Sequence, residues 1–237
     1  MQTRVFLALL TLFALASLAT AACGGGGEST DDKTVAADDG LSGSGADALR
    51  SLAKDLTDKS YQAVYDIETD EGDGKTDKGL LTIASKPPKS AFAVSTKDSA
   101  GVKTEFLSFK DDKVSYLCTK TGDEPGECLK GAVTEDGASA GLLDLKSLLS
   151  NLEEEAGTTV TEVKGRKIAG ADSKCFKIKD ARSEGTACFA RSNGIMTLVD
   201  SVDNGIILKV QATKLSEKPD DKLFEVPDGY EVIDLGN

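Results

Sequence analysis

The runs SKCFKIK (residues 173–179), TACFAR (186–191), IMTLVDSV (195–202) and IILKVQAT (206–213) decide the fold class. Each is short and mixes β-branched and aromatic residues with polar ones, as half-buried strands do. The links between them are turn chemistry: Asp180 to Gly185, then Asn193-Gly194, then Asn204-Gly205. Asn-Gly pairs tolerate the positive φ that a two-residue hairpin turn demands. Links this short join antiparallel neighbours.

The same pattern extends toward the N-terminus. Thr158 to Lys164 reads as another strand. So do Tyr61 to Thr69, Gly79 to Ala84, Ser90 to Thr96, Lys103 to Phe109 and Lys113 to Thr119, with Pro87-Pro88 closing the second of these five. In the first, Tyr61, Ala63, Tyr65 and Ile67 fall on one side and Val64 on the other. Two segments have helical spacing instead. Ala46, Leu49, Leu52, Ala53 and Leu56 recur at three- and four-residue steps, and Leu142, Leu145, Leu148, Leu149 and Leu152 do so within Ala140 to Glu155, which Gly157 can end. About ten antiparallel strands and two helices predict a mainly β, α+β chain: a curved antiparallel sheet with one face that helices cover or leave as a cavity.

The N-terminus carries a different signal. Arg4 is the sole charge before residue 28, the apolar run Val5–Leu18 follows, and Ala19-Thr20-Ala21-Ala22 precede Cys23. A basic start, a short apolar core and small residues make a secretory signal peptide over residues 1–22. Thr20-Ala21-Ala22-Cys23 resembles the bacterial lipobox, with Thr20 where Leu is usual. That resemblance implies that Cys23 becomes the lipidated first residue. Four glycines (24–27) and an acidic, Ser- and Gly-rich stretch to residue 45 predict a flexible tether. A single domain is expected over residues 46–237.

Composition narrows the function. The net charge is −12, and loss of Arg4 with the signal makes it one unit more negative. Nucleic acid is a poor partner for such a chain, because phosphate binding rests on Lys and Arg clusters. There is no histidine. A Ser-His-Asp triad and a His-containing zinc site are therefore absent from the chain. Asp70-Glu-Gly-Asp-Gly74 lacks the spacing of a calcium loop and reads as a turn. No metal or cofactor is expected, and no catalytic residue is nominated.

Apart from Cys23, the cysteines are Cys118, Cys128, Cys175 and Cys188. An even count in an exported domain suggests disulfides, and four allow three pairings. Turn residues fill 119–127, and a strand, a turn and a return strand fill 176–187. Each local pair, Cys118 with Cys128 and Cys175 with Cys188, thus lies on the two arms of a hairpin. The absence of C-x-x-C argues against a redox or thiolate–metal role.

The run CFARSNGIMTLVD (188–200) and the tail DDKLFEVPDGYEV (220–232) together resemble the LolA/LolB-like and LppX/LprG-like bacterial lipoproteins. The resemblance rests on Asn193-Gly194-Ile195-Met196, on the Phe224-x-x-Pro227-x-Gly229-Tyr230 ending, and on the order of elements over most of residues 46–235. It implies a half-open β-barrel with helices on the concave side. It also implies a cavity that takes lipid acyl chains without catalysis. Phe92, Val94, Phe106, Tyr116, Leu145 and Leu149 are the candidate walls of that cavity. The expected function is a lipid-anchored envelope lipoprotein on the outer face of a bacterial membrane, binding or carrying a lipid or other hydrophobic ligand. The alternative is a module with a filled core that docks other envelope proteins. A carboxylate-based hydrolase is the least supported reading, since nothing places two acids at a defined separation.

Overall fold

The computed structural model of the protein describes residues 41–54, 59–70, 72, 76–98, 100–132 and 157–236. The signal segment, Cys23, most of the tether, Leu56 and the leucine stripe of 140–155 lie outside the described residues. Thirteen strands form one sheet. In chain order they are β1 (Leu41–Ser42), β2 (Tyr61–Asp70), β3 (Thr76–Lys86), β4 (Lys89–Lys97), β5 (Lys103–Lys110), β6 (Val114–Thr121) and β7 (Gly126–Ala132), then β8 (Thr158–Ile168), β9 (Ala171–Lys179), β10 (Ser183–Ala190), β11 (Met196–Asp203), β12 (Ile206–Ser216) and β13 (Tyr230–Asp234). Helix α1 covers Ala46–Lys54, and a 3-10 turn covers Asp221–Phe224.

The strand order is β1-β8-β9-β10-β11-β12-β2-β3-β4-β5-β6-β7-β13. Every sequence-neighbour pair within it is antiparallel. The two outermost pairings, β1 with β8 and β13 with β7, are parallel, which corrects the all-antiparallel expectation of about ten strands. The extra strands are the short ends of the sheet and β7, whose composition (GECLKGA) carries little β propensity. The outermost strands do not pair with each other, so the barrel stays half open. Its curvature is strong: β8 and β12 lie four places apart in the order, yet their Cα atoms approach within 8 Å. Flat strands spaced about 4.8 Å apart would hold them roughly 19 Å apart.

Register assigns the faces. Phe176, Ala187, Val199, Val210 and Ile67 face one another in sequence across β9, β10, β11, β12 and β2. Tyr65, Leu81, Val94 and Phe106 continue that face across β2 to β5. This inner face holds the main core. Helix α1 packs on it through Ala46, Leu49 and Leu52. Gly45 permits the approach, since a Cβ there would stand 2.8 Å from the Glu162 backbone nitrogen and 3.1 Å from the Phe176 ring. Helix α1 is the helix on the concave side among the described residues; the second expected helix, over Ala140 to Glu155, lies outside them.

Tyr65 is 1% exposed and its hydroxyl donates to the Met196 carbonyl at 2.9 Å. Burial pushes its pKa far up, so it stays a neutral donor. Tyr65→Phe would strand that carbonyl, and a loss of about 1–2 kcal/mol is expected in urea unfolding.

The hairpin turns divide by chemistry. Asn204 (φ 49°) and Gly205 (φ 84°) both take positive φ in a two-residue turn that pairs Asp203 with Ile206. Asn193-Gly194 does not make such a turn. It sits in a five-residue connection, where Gly194 donates to the Ala190 carbonyl and Ala190 to that of Ile195. A bulge at Cys188/Phe189 displaces the register there. Asp111 and Asp180 close two other turns. Backbone N–H groups of Val114 and Lys113 hold Asp111 below its ordinary value of 3.8. Burial alone would raise Asp180, but the Ser183 hydroxyl and the N–H groups of Arg182 and Ser183 bring it below the same value. Depressed carboxylates stabilise the fold above their unfolded pKa. This contribution should be complete at pH 6 and fade as pH falls from about 4 through the folded values, and an acid titration of Asp180→Asn against the parent should show a smaller loss in the variant.

Candidate functional site

The outer face of the sheet is covered where the chain's end crosses it. After β12 the chain passes over β4 and β5 and reaches the far edge as β13. Asp220 N–H donates to Gln62, and Lys86 pairs with Asp221 on the way. Beneath it lies a second core of Ala84, Ala91, Phe109, Cys118, Cys128 and Phe224. Phe109 and Tyr116 face each other across β5 and β6 with rings stacked at 4.6 Å. They line a cavity of about 280 Å³ together with Phe224, Val226, Val114, Lys89, Lys110, Asp111 and Glu225.

The inner face at this end of the sheet is different. Ile83, Phe92, Ser108, Leu117, Leu129 and Ile233 face one another in sequence across β3 to β7 and β13. The row starts buried: Ile83 is 4% exposed and Phe92 9%. It ends open, with Leu117 at 41%, Leu129 at 38% and Ile233 at 41%. Phe106 lies beside it on the next row, half-buried, its ring edge-on to Phe92 at 6.2 Å. A row that is apolar but for the buried Ser108 thus runs from the core to solvent on the concave side. At the spacing of adjacent strands, its open part spans roughly 10 Å.

The candidate walls do not all come together. Phe92, Val94 and Phe106 share the inner face and pack in or against the main core. Tyr116 stands on the outer face with Phe109. Leu145 and Leu149 lie outside the described residues. Leu117, Leu129 and Ile233 were not nominated from the sequence. A signal for the first two was present: if Cys118 faces Cys128, then Leu117 and Leu129 must face each other on the opposite side. Ile233 depends on the parallel return of the chain's end, which has no local signature.

Both hairpins are closed by disulfides, Cys118–Cys128 and Cys175–Cys188, each between residues that face directly across adjacent strands. The shifted carboxylates among the described residues are all shifted downward, by surface lysines or turn N–H groups: Glu68, Asp111, Asp180, Glu184, Asp221 and Asp234. Among the described residues no cluster of metal-ligating side chains occurs, and no helix is long and apolar enough to cross a membrane.

No known family's sequence pattern matches the chain, and no curated protein matches it. Solved structures do. MucB matches with a TM-score of 0.42 and 16% identity, over 79% of this chain and 66% of that one. MucB in the MucA/MucB complex of Pseudomonas aeruginosa matches with a TM-score of 0.42 and 15% identity, over 79% and 62%. A LolA superfamily protein from Nitrosomonas europaea matches with a TM-score of 0.36 and 10% identity, over 76% and 97%. The chain spans less than two thirds of the MucB chains' length. With TM-scores below 0.5, the architecture is read from the strand order and register themselves.

Proposed function

We propose that this protein is a non-catalytic, lipid-anchored envelope lipoprotein that binds a lipid or other hydrophobic ligand along the inner face at Leu117, Leu129 and Ile233. The supporting observation is the apolar row that leaves the core between Phe92 and Phe106 and stays open at its outer end. Exposed apolar rows on a concave face lose free energy to water, at about 25 cal/mol for each Å² left uncovered. An acyl chain laid along the row removes that surface from water and needs no hydrogen-bond partner. The rim is polar, with Thr119 and Glu127 exposed on the same face, which suits a ligand with a headgroup. Cys23 holds the domain at the membrane in this reading, and residues 24–40 give it reach. Chemistry is not part of the proposal: no histidine is present, and the downward-shifted carboxylates are each accounted for by turns and ion pairs.

Native mass spectrometry with lipid extraction tests this on a secreted form beginning at Gly24. Co-purified lipid that is released on unfolding supports the reading and names the ligand class. A clean mass that is unchanged after incubation with envelope lipids defeats it.

A further inference from the structure

The open edge of the sheet offers a second surface. Leu235 N–H donates to the Lys130 carbonyl of β7 at 3.0 Å. Alternation along a strand then points the N–H and C=O of Ile233 and Glu231 toward β7 as well, and those of Val232 and Asp234 away from it. Among the described residues no strand lies beyond β13 in the order. It exposes an apolar side chain on each face, Val232 at 44% and Ile233 at 41%, and the adjoining Leu235 is 64% exposed. Natural edge strands are blunted by charges, lysine above all, and by proline; β13 has neither lysine nor proline, and of its two acids Asp234 is matched by Lys130.

Charge selects what fits there. Glu127 and Glu231 face each other directly across β7 and β13, both exposed. Like charges at facing positions destabilise a sheet. On the other face Asp234 is already matched by Lys130 at 2.7 Å. An incoming cation beside Glu231 would relieve the facing pair. Two residues further along the same face, Ile233 continues the apolar row of Leu117 and Leu129.

We propose that the β13 edge docks an extended polypeptide segment of a partner protein, which adds an antiparallel strand. That segment carries a Lys or Arg beside Glu231 and an apolar residue beside Ile233, two positions away on the same face. Main-chain bonds to Val232 and Asp234 supply affinity, and the two inner-face positions supply selectivity. The edge shares Ile233 with the ligand row, but its main-chain groups at Val232 and Asp234 and its charge at Glu231 are its own, so peptide binding at β13 and lipid capture are read, and fail, separately.

The test uses the full-length chain, exported and purified, with a fluorescent octapeptide alternating Lys and Val and a second alternating Glu and Val. The Lys peptide should bind and the Glu peptide should not. Amide exchange at Val232 and Asp234 should slow on binding. Val232→Pro removes an outward N–H while sparing the pairing with β7, as edge strands permit, and should weaken binding by at least about tenfold. Glu231→Lys should reverse the preference between the peptides. Equal binding of both peptides, protection elsewhere than at β13, or unchanged binding by Glu231→Lys would each overturn the proposal.

Discussion

Phe176→Ala should lower stability by about 3–5 kcal/mol, the range for truncating a fully buried aromatic. Phe176 has no exposed surface, and its ring lies 6.3 Å from that of Phe189. It also sits where the start of α1 meets β9, so close to Gly45 that a Cβ there would stand 3.1 Å from the ring. Emptying it removes packing against the Phe189 ring and against the start of the helix together. A domain of ordinary stability has only about 5–15 kcal/mol in hand. Chemical denaturation should therefore show a large fall in midpoint, and amide exchange in α1 should rise before exchange in β2 and β3. A change under about 1 kcal/mol would mean that α1 is not seated as described.

Joint replacement of Cys118 and Cys128 by alanine should cost about 3 kcal/mol by the chain-entropy model for a loop of this size. The effect extends to the ligand row. The disulfide fixes Leu117 opposite Leu129, and a one-residue slip of β7 would turn Leu129 to the outer face. Removing Cys175 and Cys188 should destabilise comparably but leave the row intact, since that bond lies between β9 and β10. Thermal unfolding of the two double variants, read beside ligand capture, separates stability from site geometry. Equal loss of capture in both would count against a role for the β6–β7 register.

The strands that are legible in the sequence are those with their own side-chain signal. Val64 alternates against Ala63 and Tyr65, and Asn204-Gly205 announces its turn, so β2 and the β11–β12 hairpin can be read from composition. β7 and β13 are different. Gly126 is buried under the Tyr230 ring, where a Cβ would lie 2.4 Å from the ring, and that contact exists only once the chain has crossed the outer face. Their pairing is parallel and long-range, and local propensity says nothing about it. The same reason explains the site. Phe92, Val94 and Phe106 stand out as large apolar residues, and they belong to the inner face. Tyr116 is equally apolar, but one step of register places it on the other side. Which apolar residues stay open is decided by what covers each face, and the crossing chain covers the outer face of β4 to β6 rather than the inner one.

In the proposed function a hydrophobic ligand lies on the inner face at Leu117, Leu129 and Ile233. Photo-crosslinking with a fatty acid bearing a diazirine in its chain, followed by mass-spectrometric mapping, tests it most directly. Label should fall on β6, β7 and β13 at inner-face positions and disappear in Leu117→Glu/Leu129→Lys, with the fold unchanged because both side chains are already exposed and the new facing charges are opposite. Label on Phe109, Tyr116 or Phe224 of the outer cavity, or label that persists in the double variant, would contradict it.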